Sequence, residues 1–205
     1  VFTTAIPSLT QEHLDGLRDR SGLSLELIRE RGYRSVMGAK QLADAGFARS
    51  QQRPPGLLIP VHTVSGINKL FSYRPDFPRI TRGKELKYEL PRGTTARLDV
   101  PPRCIESIKD PSIELWITEG QKKADVLAMH GLCAVALLGV WNFKGKNKFG
   151  GVTLLADFDE IALGRVVNIA FDSDVTTQPQ VRAALDRLTE HMQRRGATVN
   201  SVYLP

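Results

Sequence analysis

Two sites in the chain place acidic side chains where they can hold a hard cation or move a proton. Glu119-Gly120 follows the apolar run Ile-Glu-Leu-Trp-Ile-Thr, and Asp172-Ser173-Asp174 follows Val-Val-Asn-Ile-Ala-Phe. Residues i and i+2 leaving a strand can aim two carboxylates at one point, as Mg²⁺ or Mn²⁺ bridging phosphate oxygens requires. At the first site, Gly120 lets a phosphate or a metal approach the backbone, and Gln121 starts a helix whose N-terminus favours anions. Lys122 and Lys123 open that helix, read either as phosphate contacts or as a solvated first turn.

A second chemistry lies upstream. Between Lys69 and Arg103 nine basic residues, among them Arg74, Arg79, Arg82, Lys84 and Lys87, face four acids and interleave with Phe71, Tyr73, Phe77 and Tyr88. Cations alternating with aromatic rings suit a polyanion whose bases can stack, and a solvated strand face explains them equally well. The net charge of +6 is all in this half: residues 1–110 carry 18 Lys and Arg against 12 Asp and Glu, and residues 111–205 carry 10 against 10.

Composition excludes other chemistries. The two cysteines, Cys104 and Cys133, form no Cys-x-x-Cys, and the four histidines form no metal-type pair, so a disulfide scaffold and a zinc ribbon both fail and any metal must be held by oxygen. No apolar run approaches the ~20 residues of a membrane span, and nothing at the N-terminus marks a secretory signal, so the expected location is cytoplasmic. The start without Met suggests a trimmed chain.

The elements that must position these residues fall into two patterns. Residues 8–47 predict short helices: a capping box at Ser8-Leu-Thr-Gln11 before 12–19, Ser24 capping 25–31, and 38–45 ending at Gly46. This cluster is read as a packing unit rather than a helix-turn-helix, because it has no basic recognition face. From Gly56, strands are expected at 57–61, 69–73, 87–90 and 97–100, separated by turn residues. After Asp110-Pro111 the punctuation becomes α/β: strand 113–118, helix 121–130, strand 132–138, a loop with Lys144, Lys146 and Lys148, a further strand and short helical piece in 152–163, strand 165–171, helix 179–195 and strand 198–204. Alternation of this kind implies a mostly parallel sheet, with chemistry collecting beyond the carboxyl ends of its strands.

Taken in order, Glu119-Gly120, Gly139 after the second of these strands, and Asp172-x-Asp174 resemble the signature of the Toprim domain shared by DnaG-type primases, topoisomerases and OLD-type nucleases. More narrowly, LWITEGQKKADVL, LLGVWNF and VVNIAFDSD, with GLLIPVH, YRPDFPR, KYELPRG and LDVPP upstream, look like the Toprim-containing replication proteins of phages, plasmids and integrative elements, over roughly residues 10–205. The resemblance implies a basic helix-plus-strand domain over 1–110, comparable to the N-terminal half of a primase core, and a Rossmann-like Toprim domain over 111–205. It implies metal-dependent nucleotidyl transfer, RNA primer synthesis, on single-stranded DNA from nucleoside triphosphates, with a helicase or ATPase as partner.

In that reading Glu119 is the general acid/base or a metal ligand, and Asp172 and Asp174 hold the metals that carry the triphosphate. Gly120, Lys122, Lys123 and Gly139 are the phosphate- or nucleotide-binding set, while Arg74, Arg79, Arg82, Lys84 and Lys87 grip template or nucleotide. The chain departs from the primase pattern in three ways. Lys123 stands where a primase has a further acid, there is no cysteine-rich zinc module, and the third acidic motif is expected beyond Pro205. Two rival readings follow: a Toprim nuclease, and a non-catalytic nucleic-acid-binding module of a larger replication protein. Asp172-x-Asp174-x-Thr176 also fits the opening motif of haloacid-dehalogenase-type phosphatases, but 29 residues are too few to carry their later motifs.

Overall fold

The structure is a computed structural model that describes residues 6, 8–66, 70–81, 83–146, 149–159, 161, 164–172 and 177–203. Its contacts divide the chain into two compact units, residues 1–61 with 68–95, and residues 62–67 with 96–205.

The first unit opens with helices α1 (Gln11–Arg18) and α2 (Leu25–Arg31). Ser24 caps α2 as expected, its hydroxyl accepting from Leu27 N at 3.2 Å, but the cap of α1 is Thr10 rather than Ser8. Thr10 has the extended backbone a cap needs, and its hydroxyl accepts from His13 N at 3.3 Å. Strand β1 (Arg34–Val36), helix α3 (Ala39–Asp44) and strands β2 (Gly56–Val61) and β3 (Leu70–Pro75) follow, the strands forming an antiparallel sheet with β2 at its centre. Every residue of β2 is buried, and Val36, Leu42, Phe47, Leu58 and Tyr73 form a small apolar core. Gly56 has to be glycine because a Cβ there would lie 2.6 Å from the Tyr73 ring and from Arg74 O. A two-stranded ribbon, β4 (Ile80–Thr81) and β5 (Lys84–Glu85), follows. The strand expected at 87–90 reduces to one bridge, Glu89 against Tyr73.

The second unit is a mixed α/β domain built on a Rossmann-like parallel sheet. Strand β6 (Leu115–Thr118), helix α4 (Gln121–Met129) and strand β7 (Cys133–Ala136) form one βαβ unit. A two-stranded excursion, β8 (Lys144–Lys146) and β9 (Val152–Leu154), precedes a second βαβ unit, β10 (Val166–Phe171), α5 (Pro179–Gln193) and β11 (Thr198–Tyr203). The sheet is parallel throughout, in the order β11-β10-β6-β7. Its core includes Leu115, Ile117, Val135, Phe143, Phe158, Val167, Ile169 and the Val181, Ala184, Leu185, Leu188, Met192 stripe of α5. Both cysteines are buried in this unit as free thiols.

Residues 96–110 pack with this second unit rather than the first. Leu98, Val100, Cys104 and Ile108 join its core, and Asp99 exchanges both backbone bonds with Ala136, at 3.0 and 2.8 Å. The strand expected at 97–100 is therefore a single bridge against the edge of the parallel sheet. Asp157 fixes this segment by accepting from Leu98 N at 2.6 Å and from Arg97 Nε at 2.8 Å. No helix among the described residues is long and apolar enough to cross a membrane.

Candidate functional site

From the centre of the parallel sheet the chain leaves in opposite directions: β6 passes through α4 outward to β7, and β10 passes through α5 outward to β11. The crevice beyond the carboxyl ends of two such strands is the topological switch point, where open α/β sheets bind ligands. The register pairs Ile117 with Ile169 and Thr118 with Ala170, so Glu119, the first residue past β6, comes out level with Phe171 and one residue short of Asp172, the first past β10. Glu119 and Asp172 stand at that point, and Asp172 N donates to Glu119 Oε1 at 3.1 Å.

The two carboxylates share a cation. Lys123, in the first turn of α4 and four residues beyond Glu119, donates from Nζ to Glu119 Oε1 at 3.2 Å and also to Asp172 Oδ1. The i, i+4 spacing and the start of the helix at Gln121 put Lys123 over Glu119. Side-chain exposure grades across the cluster, from 14% for Glu119 through 36% for Lys123 to 50% for Asp172.

Electrostatics separate the two acids. Burial, and then the hydrogen bond with Asp172, push the Glu119 carboxyl up to about 7, with Lys123 pulling against them. The Asp172 carboxyl is held below the usual range by the hydrogen bond with Glu119 and by Lys123. One site thus holds an acid that exchanges a proton near neutrality beside an acid that stays ionised, a division that suits acid/base chemistry.

Neither the backbone nor the packing of the chain calls for glycine at position 120. Its φ of −155° is extended and a Cβ there would meet nothing within 4 Å, leaving open space over the backbone at the N-terminus of α4. Gly139 has an internal reason. Its φ of +127° turns the chain out of the sheet after β7, and Asn142 closes the turn by donating from N to Gly139 O at 2.9 Å and from Nδ2 to Leu138 O. Beyond that turn, Lys144 Nζ lies 3.6 Å from the centre of the Trp141 ring, a cation–π pair that the W-N-F-K spelling signals and that the sequence reading passed over. Lys122 is half-buried in the first turn of α4.

The basic candidates of the first unit divide. Arg74, Lys84 and Lys87 are exposed, in the same stretch as exposed Phe77, Ile80 and Tyr88. Arg79 is engaged: it forks onto buried Glu89, Nε to Oε1 at 3.0 Å and Nη2 to Oε2 at 2.8 Å, and Gln51 completes that carboxylate at 3.1 Å. Asp174 and Arg82 lie outside the described residues.

A divalent ion asks for several oxygen ligands around an open position. Glu119 and Asp172 do converge, but on the ammonium of Lys123, and among the described residues no three His, Cys, Asp or Glu side chains gather into a metal cluster. With Lys123 in place the described pair does not fit a resident Mg²⁺ or Mn²⁺.

The family whose model matches residues 106–205 is described as a domain of unknown function, DUF3854. None of the curated proteins matches. Among solved structures, the chain is similar to the Aquifex aeolicus primase, zinc-binding and RNA polymerase domains, with a TM-score of 0.66 at 15% identity over 96% of this chain and 50% of that one. It is similar to the DnaG catalytic core, with a TM-score of 0.62 at 19% identity over 98% and 66%. It is also similar to the DnaG primase catalytic domain bound to ssDNA, with a TM-score of 0.61 at 19% identity over 98% and 67%. The chain spans about half to two thirds of these structures and has a primase-type fold.

Proposed function

We propose that this chain is the core of a primase-like replication protein that binds single-stranded DNA and nucleoside triphosphates and joins ribonucleotides into a primer, in the replication of a phage, plasmid or integrative element, with a helicase or ATPase as partner. The observation that carries the reading is the pairing of a near-neutral Glu119 with an ionised Asp172 at the switch point of a sheet whose fold is that of primase cores. One of those similar structures is a primase catalytic domain bound to ssDNA, which supports nucleic acid as the ligand class.

Each residue has a task in this reading. Glu119 takes the proton of the attacking hydroxyl as that oxygen bonds to the α-phosphorus of the incoming triphosphate and pyrophosphate leaves, because the Glu119 carboxyl releases and accepts protons near the working pH. The open backbone at Gly120 and the N-terminus of α4 receive phosphate oxygens. Exposed Arg74, Lys84 and Lys87, with Phe77 and Tyr88, hold the template strand by charge and stacking. A second reading, a non-catalytic nucleic-acid-binding module, is favoured by one feature, the lysine bridging the two acids.

Ribonucleotide incorporation on a single-stranded DNA template, with Mg²⁺ or Mn²⁺ supplied, tests the choice. Labelled oligoribonucleotides are expected from the wild type and should fall by about 100-fold or more in Glu119→Gln and Asp172→Asn. Template binding without synthesis would overturn the catalytic reading in favour of the binding module. Metal-dependent cutting of the template by the same carboxylates would place the chain with the nucleases.

A further inference from the structure

We propose that Lys123 is a built-in cation: its ammonium occupies the point on which Glu119 and Asp172 converge, so that this pair holds no divalent ion until the lysine is moved or removed. The inference concerns the site of the primase-like reading and rests on that reading only for the site's importance. Three features of the cluster carry it.

The first is position. Nζ donates to one oxygen of each carboxylate, the place a bridging ion takes between two acids. The second is tethering. Glu119 lies two residues before the start of α4 and Lys123 lies in its first turn, so the helix that begins at Gln121 holds the ammonium over Glu119. The third is charge. Two carboxylates beside one another at neighbouring strand ends repel, and a positive group between them offsets that repulsion. An ammonium supplies this with a single charge and three donors, where a divalent ion would supply two charges and open coordination positions.

The two cations are therefore alternatives at one point. A divalent ion entering between Glu119 and Asp172 meets a fixed positive charge within hydrogen-bond distance of both intended ligands. Replacing Lys123 by a neutral side chain vacates the point. Replacing it by an acid would set three carboxylates, at positions 119, 123 and 172, around the same place.

The test is Mn²⁺ titration by calorimetry and by electron paramagnetic resonance, which needs no turnover. Wild type and Glu119→Gln are expected to bind Mn²⁺ alike, within about twofold, because Glu119 is already occupied by Lys123. Lys123→Gln and Lys123→Glu should gain affinity by about tenfold or more, Lys123→Arg should not, and adding Asp172→Asn should abolish the gain. Wild-type Mn²⁺ binding that drops tenfold in Glu119→Gln would overturn the proposal, and so would folded Lys123→Gln and Lys123→Glu proteins with no gain. If the Lys123 variants fail to fold by circular dichroism, the comparison of wild type with Glu119→Gln decides alone. A chain that makes no primer can still show the gain, and an active chain can fail to show it, so this outcome is separate from that of the primer assay.

Discussion

Two acid–cation clusters, one in each unit, use the same charges to different ends. In the first unit Glu89, with its side chain 4% exposed, is gripped by both nitrogens of the Arg79 fork and by the Gln51 amide. In the second, Glu119 and Asp172 share one lysine ammonium at a strand-end crevice, with Asp172 half exposed. A guanidinium fork matches a carboxylate in two bonds of fixed direction, whereas an ammonium is a compact point charge on a flexible stem. The Glu89 cluster is closed and serves the fold. The Glu119 cluster is held together by a group that can be exchanged for something else.

Removing the cation from each cluster should give the largest difference. Arg79→Ala leaves a buried carboxylate without its fork and is expected to cost about 2–4 kcal/mol, measured by urea unfolding. Lys123→Gln should cost about 1 kcal/mol or less, because Asp172 reaches water and Glu119 can take up a proton. Equal losses would mean that the two clusters are alike.

Proton linkage separates the clusters next. Glu119 has a native value of about 7 against an ordinary 4.5, so between those limits the folded chain holds a proton that the unfolded chain does not. The sign follows: stability from this group is greatest below about 4.5, falls as pH rises through the window and is level above about 7. Thermal melts from pH 4.5 to 8 should show wild type losing on the order of 1–3 kcal/mol relative to Glu119→Gln. Comparing the two proteins removes titrating groups that Glu119 does not touch, including His191, whose burial lowers its value and acts in the opposite sense. A flat difference would mean that Glu119 titrates in the folded chain as it does in the unfolded one.

The smallest expected effect lies on the exposed basic side chains. Single-stranded DNA affinity measured against salt should lose about 0.7 from its log–log slope for each of Lys84→Ala and Lys87→Ala, if each neutralises one phosphate. Arg79→Gln should leave that slope unchanged, since its guanidinium already belongs to Glu89.

Periodicity and punctuation were enough to locate the parallel-sheet unit. Apolar runs ending at Thr118 and Phe171 are β6 and β10 to their last residue, so the acids that follow them could be paired from sequence. Helices α4 and α5 end within one or two residues of expectation, because Gly131 and Gly196 adopt the left-handed backbone that stops a helix. Short strands were less legible. Residues 87–90 and 97–100 alternate well enough, yet each makes a single bridge, because pairing depends on which neighbour is available and not on local pattern. The linear sequence offers Arg79 as a contact for an outside anion, and Lys123 as either a phosphate contact or part of a solvated first turn. Their acid partners, Glu89 ten residues away and Asp172 49 residues away, are brought to them by tertiary structure that a linear reading does not contain. Lys123 was visible as a departure from the primase pattern, and its bridging position gives that departure a physical content.

The burial of Cys104 and Cys133 also makes the chain its own reporter. Both thiols, and both tryptophans, Trp116 and Trp141, belong to the parallel-sheet unit, and the other unit has none of either. Indole fluorescence and the rate of thiol alkylation therefore follow the opening of one unit alone. Far-ultraviolet dichroism sums over both units. A lag between these signals during denaturation would show, without any label, that the two halves come apart in separate steps.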